Sequence, residues 1–117
     1  MRYLMVAAAW LLCSGVAAQP HSASECREGG DFIRNAALSR DTGTTRAFFV
    51  GRLEEDLQTI QAFPASLRWF AHDRDDERFL RAEVEAVFDS PESSELHRAG
   101  FMERCALRSA RLASPNS

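Results

Sequence analysis

The chain has 117 residues, with 14 arginines, no lysine, 17 acids and a net charge of −3. That length fits one small domain with a modest core. The acidic balance argues against general nucleic-acid binding, and the missing lysine excludes Schiff-base chemistry and a P-loop lysine. An arginine-only basic set fits a GC-rich bacterial genome.

Met1-Arg2-Tyr3 is followed by an apolar run, Leu4 to Leu12, and by the small residues Ser14-Gly15-Val16-Ala17-Ala18. This pattern predicts a secretory signal peptide over residues 1–18, cut between Ala18 and Gln19. The apolar run is too short to span a bilayer, so no stable membrane insertion is expected after cleavage. A retained N-terminal anchor is the alternative. Without Arg2, thirteen arginines face seventeen acids, a net charge of −4. Cys13 would leave with the peptide; Leu12 before it is too large for a lipoprotein signal. Cys26 and Cys105 remain. In a small exported domain, periplasmic or secreted, such a pair is expected to form one disulfide.

Residues 19–24 are polar and aperiodic and read as a flexible leader. Glu25 to Arg40 reads as the first helix, with Cys26, Gly30, Ile33 and Ala37 on one face. Gly29-Gly30 weakens a helix interior but lets a neighbour come close. Asp41-Thr42-Gly43 ends it. Thr44 or Thr45 caps a second helix that runs to about Ala62 and buries Phe49, Leu53, Leu57 and Ile60. Phe63-Pro64 stops it. Ala65 to Ala71 predicts a helical turn that drops Trp69 or Phe70 into the core. Asp73-Arg74-Asp75-Asp76-Glu77 opens the third helix as a capping cluster. Its stripe is Leu80, Val84, Val87 and Phe88, with Phe79 on the flank, and Asp89-Ser90-Pro91 ends it. A fourth helix runs from Glu92 or Ser94 to Leu112, with Phe101, Cys105 and Leu112 inward. Leu96, Gly100 and Leu107 form a second apolar line. Arg108 interrupts the inner face and is expected to snorkel, with its charge in water. Residues 113–117 read as a disordered tail, leaving 25–112 as the helical domain.

No stretch alternates with a period of two, so the expected fold is all-α: a small antiparallel four-helix bundle closed by one disulfide. Short connections make neighbouring helices antiparallel. With four helices the start of the first and the end of the last share one end of the bundle, which is where Cys26 and Cys105 lie.

The opening Cys26, the Arg40-Asp41-x-Gly43 helix end, the Arg68-Trp69-Phe70 middle, Val87-Phe88 with Pro91 soon after, and the closing Cys105 resemble a group of small uncharacterised exported helical proteins of Gram-negative bacteria. The likeness spans most of the chain after Ala18. It implies a fold and a compartment, and no enzyme activity.

The chemical motifs are few. An EF-hand loop counted from Asp73 needs glycine sixth and glutamate twelfth, where Arg78 and Val84 stand. Zinc on Cys26, Cys105, His72 and His97 fits by composition, but His97 and Cys105 lie two helical turns apart. Haem would draw on His21, His72, His97 and Met102, which offer no opposed pair, and Cys-x-x-Cys-His is absent. Gly-x-Ser-x-Gly is absent too. The expectation is no catalytic residue, no metal and no cofactor. Arg68, Trp69 and Phe70 are candidates for partner contact, since Trp and Arg concentrate at binding hot spots; core anchoring is the competing and favoured reading. The function expected is contact with a protein partner, a basic one by charge. An acid-stress chaperone and a small-ligand or metal carrier are the alternatives.

Overall fold

The computed structural model describes residues 20–114. The signal-peptide expectation over residues 1–18 lies outside them, as do residues 115–117 of the expected tail. Four helices form: α1 (Ala23–Asp41), α2 (Arg46–Ile60), α3 (Arg74–Asp89) and α4 (Ser94–Ala113), with a single 3-10 turn (Ala65–Leu67) between α2 and α3. Among the described residues there are no strands.

Each helix starts at a residue built to cap it. The Thr45, Asp73 and Ser93 side chains accept the N–H three residues on, from Phe48, Asp76 and Leu96. Ser22 does the same for Glu25, and the Glu25 carboxylate returns to the Ser22 N–H, a reciprocal box that ties down two otherwise free donors. At the far end of α1, Gly43 takes φ +106°, a conformation cheap only for glycine.

Side-chain pairs fix the helix directions. Along α1 and α4, Cys26 meets Cys105, Asp31 meets Arg98 and Arg34 meets Glu95, so the two run antiparallel. Along α2 and α3, Arg46 reaches Asp89, Glu54 reaches Arg81 and Gln61 reaches Glu77, which is antiparallel again. The Cys26–Cys105 disulfide spans 5.8 Å between Cα atoms, as the helix count predicts. Gly29 and Gly30 bring α4 close. A Cβ on Gly29 would sit 2.6 Å from the Phe101 ring, and one on Gly30 2.8 Å from Met102 Cγ.

The core holds most of the expected stripes, Ile33 and Ala37 from α1, Leu53 and Leu57 from α2, Leu80, Val84 and Val87 from α3, and Phe101 and Cys105 from α4, and adds Ala36; Phe49, Ile60, Phe88 and Leu112 are only half-buried. Arg40 closes the end opposite the disulfide. Its guanidinium donates to the carbonyls of Val87 (2.8 Å), Ser90 (2.7 Å) and Glu92 (2.9 Å), tying α1 to the α3–α4 connection.

Five expectations need correction. The leader is shorter than residues 19–24: Ser22 caps α1, and His21 is buried, held by its N–H to Ser109 Oγ and by its ring. The acid run caps α3 through Asp73 as expected, but not all of it lies on the helix surface, because Asp76 and Glu77 are buried. Arg108 does not snorkel; it turns inward to Asp76, which offsets the cost of burying either charge alone. Leu96 and Leu107 are exposed and make no second packed line. Ala113 belongs to α4, so the tail begins one residue later.

Candidate functional site

The connection from Gln61 to His72 sorts the Arg68-Trp69-Phe70 stretch into three different fates. Arg68 is its internal tie: the guanidinium donates to the carbonyls of Phe63 (2.8 Å), Gln61 (3.1 Å) and His72 (3.3 Å). Its donors are spent on its own loop, which gives it a structural role there. Phe70 is fully buried and anchors the core. Its backbone sits at φ +52°, a strained conformation for a bulky residue, costing roughly 1–3 kcal/mol. The turn is held because the ring is packed on every side. It stacks on His21 at 3.9 Å and meets Trp69, Phe79 and Phe101 within 6.2 Å. Trp69, next in line, is pushed outward and keeps 37% of its surface exposed.

Trp69 stands at one end of an apolar groove. Helix α2 packs on α3 and makes few close approaches to α1. The gap is bridged by rings: Phe32 of α1 meets Trp69 edge-on at 5.5 Å and Phe49 of α2 at 5.8 Å. Between them opens a cavity of about 410 Å³, walled by Phe32, Leu53, Leu57, Ile60 and Trp69, with Asp56 at its edge. A second hollow shares Phe32, Leu53 and Asp56 with the first and extends toward Phe48, which is 64% exposed. The Trp69 indole N–H donates to Glu28 at 3.2 Å, so an acid stands at that end as well. Aromatic rings with a polar tip suit a surface that must be apolar and wet by turns.

Beneath the Trp69 end lies a polar cluster. The Asp76 carboxylate is buried, accepts the His72 N–H at 2.9 Å and pairs with Arg108 at 2.8 Å. The Arg108 guanidinium lies over the Phe79 ring, 5.0 Å from its centre. The His21 ring donates from Nε2 to the Phe70 carbonyl at 2.6 Å. The His72 ring faces the Ala65 carbonyl with Nδ1 at 2.9 Å and the Glu25 carboxylate with Nε2 at 2.6 Å. Burial opposes the His72 charge, but these two acceptors outweigh it and raise the imidazole above its ordinary value. Burial likewise works against the Glu25 charge; His72 and the Ser22 N–H outweigh it and hold the carboxyl below the ordinary range.

Of the residues singled out in the sequence, then, the structure joins Cys26 to Cys105, leaves Trp69 at the surface, and takes Arg68 and Phe70 inward. The disulfide removes both cysteines from any zinc set with His72 and His97. His97 sits at the opposite end of the bundle, beside Arg40 and the Ser90 carbonyl. Sequence reasoning missed His21, Phe32 and the Asp76–Arg108 pair. His21 had a signal: Ser22-x-x-Glu25 is a helix-start signature that leaves His21 one step from an ordered cap. Phe32 lies next to the α1 stripe and faces the groove.

No protein-family model, curated protein or solved structure matches the chain.

Proposed function

We propose that this chain is an exported, non-enzymatic helical protein that works by contact with a protein partner through the α1–α2 groove. The observation that carries the reading is the groove itself: an apolar trough with aromatic rings exposed at both ends, where Phe48 and Trp69 keep much of their surface in water. Apolar stripes in a small domain are normally covered by its own helices, and large exposed aromatic patches mark interaction sites. An apolar trough between two helices can take an amphipathic helix whose apolar face lies in it. Glu28 and Asp56 on its edges, with the net negative charge, favour basic residues flanking that face. Export is supported by the Leu4–Leu12 run and by the disulfide, which persists in oxidising compartments. Among the described residues no helix is long and apolar enough to cross a membrane.

A second reading, a carrier of a small apolar ligand, is favoured by the cavity volume of about 410 Å³, which falls within the range of ligand sites. Site-specific photo-crosslinking in the exporting cell separates the readings. A photoreactive residue at Phe48 or Trp69 should trap one and the same polypeptide, while the same residue at Leu107, which lines neither hollow, should trap none. A broad mixture of polypeptides that grows in acid would favour the chaperone reading. A small molecule retained in native mass spectra, with no polypeptide adduct, would favour the carrier.

A further inference from the structure

We infer that His21, Glu25 and His72 form a binding site for one divalent transition-metal ion, with zinc the ion their ligand chemistry suits. Each residue offers one ligand atom, and the three atoms lie within 4.8 Å of one another. Two imidazoles and a carboxylate form a donor set that zinc accepts.

The second shell is what lifts this trio above an ordinary ion pair. Each histidine is already oriented by a backbone carbonyl. His72 gives its Nδ1–H to Ala65, and His21 gives its Nε2–H to Phe70. Ligand histidines are fixed in this way, with the far nitrogen bonded to a carbonyl and the near one left bare. The nitrogens not held by a carbonyl are accordingly Nε2 of His72 and Nδ1 of His21. His21 Nδ1 is buried on a side chain with no exposed surface and has no hydrogen-bond partner among the described residues. A buried ring nitrogen without a partner is costly unless something occupies its lone pair. His72 Nε2 faces the Glu25 carboxylate at 2.6 Å although its ring already donates from Nδ1. Between two acceptors the ring must carry a second proton or a metal. Zinc binding would replace that proton, which leaves to solvent, and the N–Zn bond takes the place of the N–H.

The fit needs only small movements. Bonds of about 2.1 Å in a tetrahedron set ligand atoms about 3.4 Å apart. Glu25 would shift its Oε2 outward from His72 while Oε1 stays on the Ser22 N–H, and the carboxylate is partly exposed. The same exposure gives the ion a way in, while His21 forms the buried wall. Asp76 is assigned no ligand role: Oδ1 is ion-paired with Arg108 at 2.8 Å and Oδ2 accepts the His72 N–H. The fourth position falls to water. The ion would tie together the segment before α1, the first turn of α1 and the connection into α3, beside the disulfide.

The test is a zinc titration of the full exported protein, stripped with chelator, by isothermal calorimetry at neutral pH. One ion should bind per chain. His21→Ala and His72→Ala should each weaken binding at least about 100-fold, since even second-shell losses cost 10–100-fold. His97→Gln, at the other end of the bundle, should leave it unchanged. Nitrogen-15 spectra of the unaltered protein supply a readout that needs no variant: zinc should shift His72 Nε2 and His21 Nδ1 and leave the carbonyl-bonded nitrogens protonated. Absence of one-to-one binding, unshifted ring nitrogens, or unchanged affinity in either histidine variant would overturn the inference.

Discussion

Alanine at Gly29 and alanine at Gly51 should change stability in opposite directions, although both glycines are helical. On propensity alone each exchange should stabilise by about 1 kcal/mol. Gly51 in α2 has nothing within 4 Å of an added Cβ, so it should keep roughly 0.5–1 kcal/mol of that gain. At Gly29 the new methyl would stand 2.6 Å from two carbons of the Phe101 ring and 3.1 Å from the Phe70 ring. Carbon atoms rest about 3.5–4.0 Å apart, so Phe101 would have to move by roughly 1 Å. It has nowhere to go: Phe101 is fully buried and has Phe70 and Phe79 each 5.6 Å away. Overpacking of this kind costs about 1–3 kcal/mol or more, which exceeds the propensity gain. The net expectation is a loss that reaches about 2 kcal/mol at Gly29 and a gain at Gly51. At about 4–8 °C per kcal/mol for a domain of this size, the Gly29→Ala protein should melt below the Gly51→Ala protein by up to roughly 20 °C. Thermal unfolding of the oxidised proteins, followed by circular dichroism, reads this directly. If Gly29→Ala is as stable as the parent, α4 does not approach α1 as closely as described.

Four further outcomes are expected. Replacing Cys26 and Cys105 together by serine releases a sequence separation of 79 residues, worth about 4.5 kcal/mol by chain entropy, and urea unfolding should show a loss of roughly 2–5 kcal/mol. Arg108→Ala strands the buried Asp76 carboxylate and should cost about 3–5 kcal/mol, whereas the double variant Arg108→Met with Asp76→Leu should recover most of that loss; equal losses in both would contradict a buried ion pair. Arg40→Ala frees three carbonyls at the opposite end and should cost roughly 2–3 kcal/mol in the same assay. In chelator-treated protein the His72–Glu25 pair has a defined pH window. The raised His72 value contributes stability below about pH 6.5 that is lost as pH rises through the folded value. The lowered Glu25 value contributes stability above about pH 4.5 that is lost as pH falls. The stability difference between the parent and His72→Gln should therefore peak between those two values, and a difference that grows steadily toward alkaline pH would contradict the pairing.

The helices were legible because their signals are local. Thr45, Asp73 and Ser93 cap where the pattern turns apolar, and the stripes through Ile33, Leu57, Leu80 and Phe101 repeat at helical spacing. The disulfide was legible because the expected compartment and the helix count agree on it. What the sequence could not reveal depends on long-range placement. Arg108 reads as a snorkelling arginine until Asp76 is found opposite it, 32 positions away. His21 reads as leader until the Phe70 ring stacks on it. The positive φ that turns Phe70 inward and Trp69 outward is imposed by packing, since a Trp-Phe pair carries no left-handed preference. The groove is likewise a property of how far α2 stands from α1, which periodicity does not encode.

The most direct measurement of the central claim uses the polypeptide trapped at Phe48. Its crosslinked segment, made as a peptide, should bind the parent protein and shift the emission of Trp69, the one tryptophan outside residues 1–18. Phe48→Asp should weaken that binding by at least about tenfold, since burying an unpaired carboxylate in an apolar contact costs more than 1.4 kcal/mol. Unchanged affinity in Phe48→Asp, or binding that leaves Trp69 emission untouched, would contradict the groove as the contact surface.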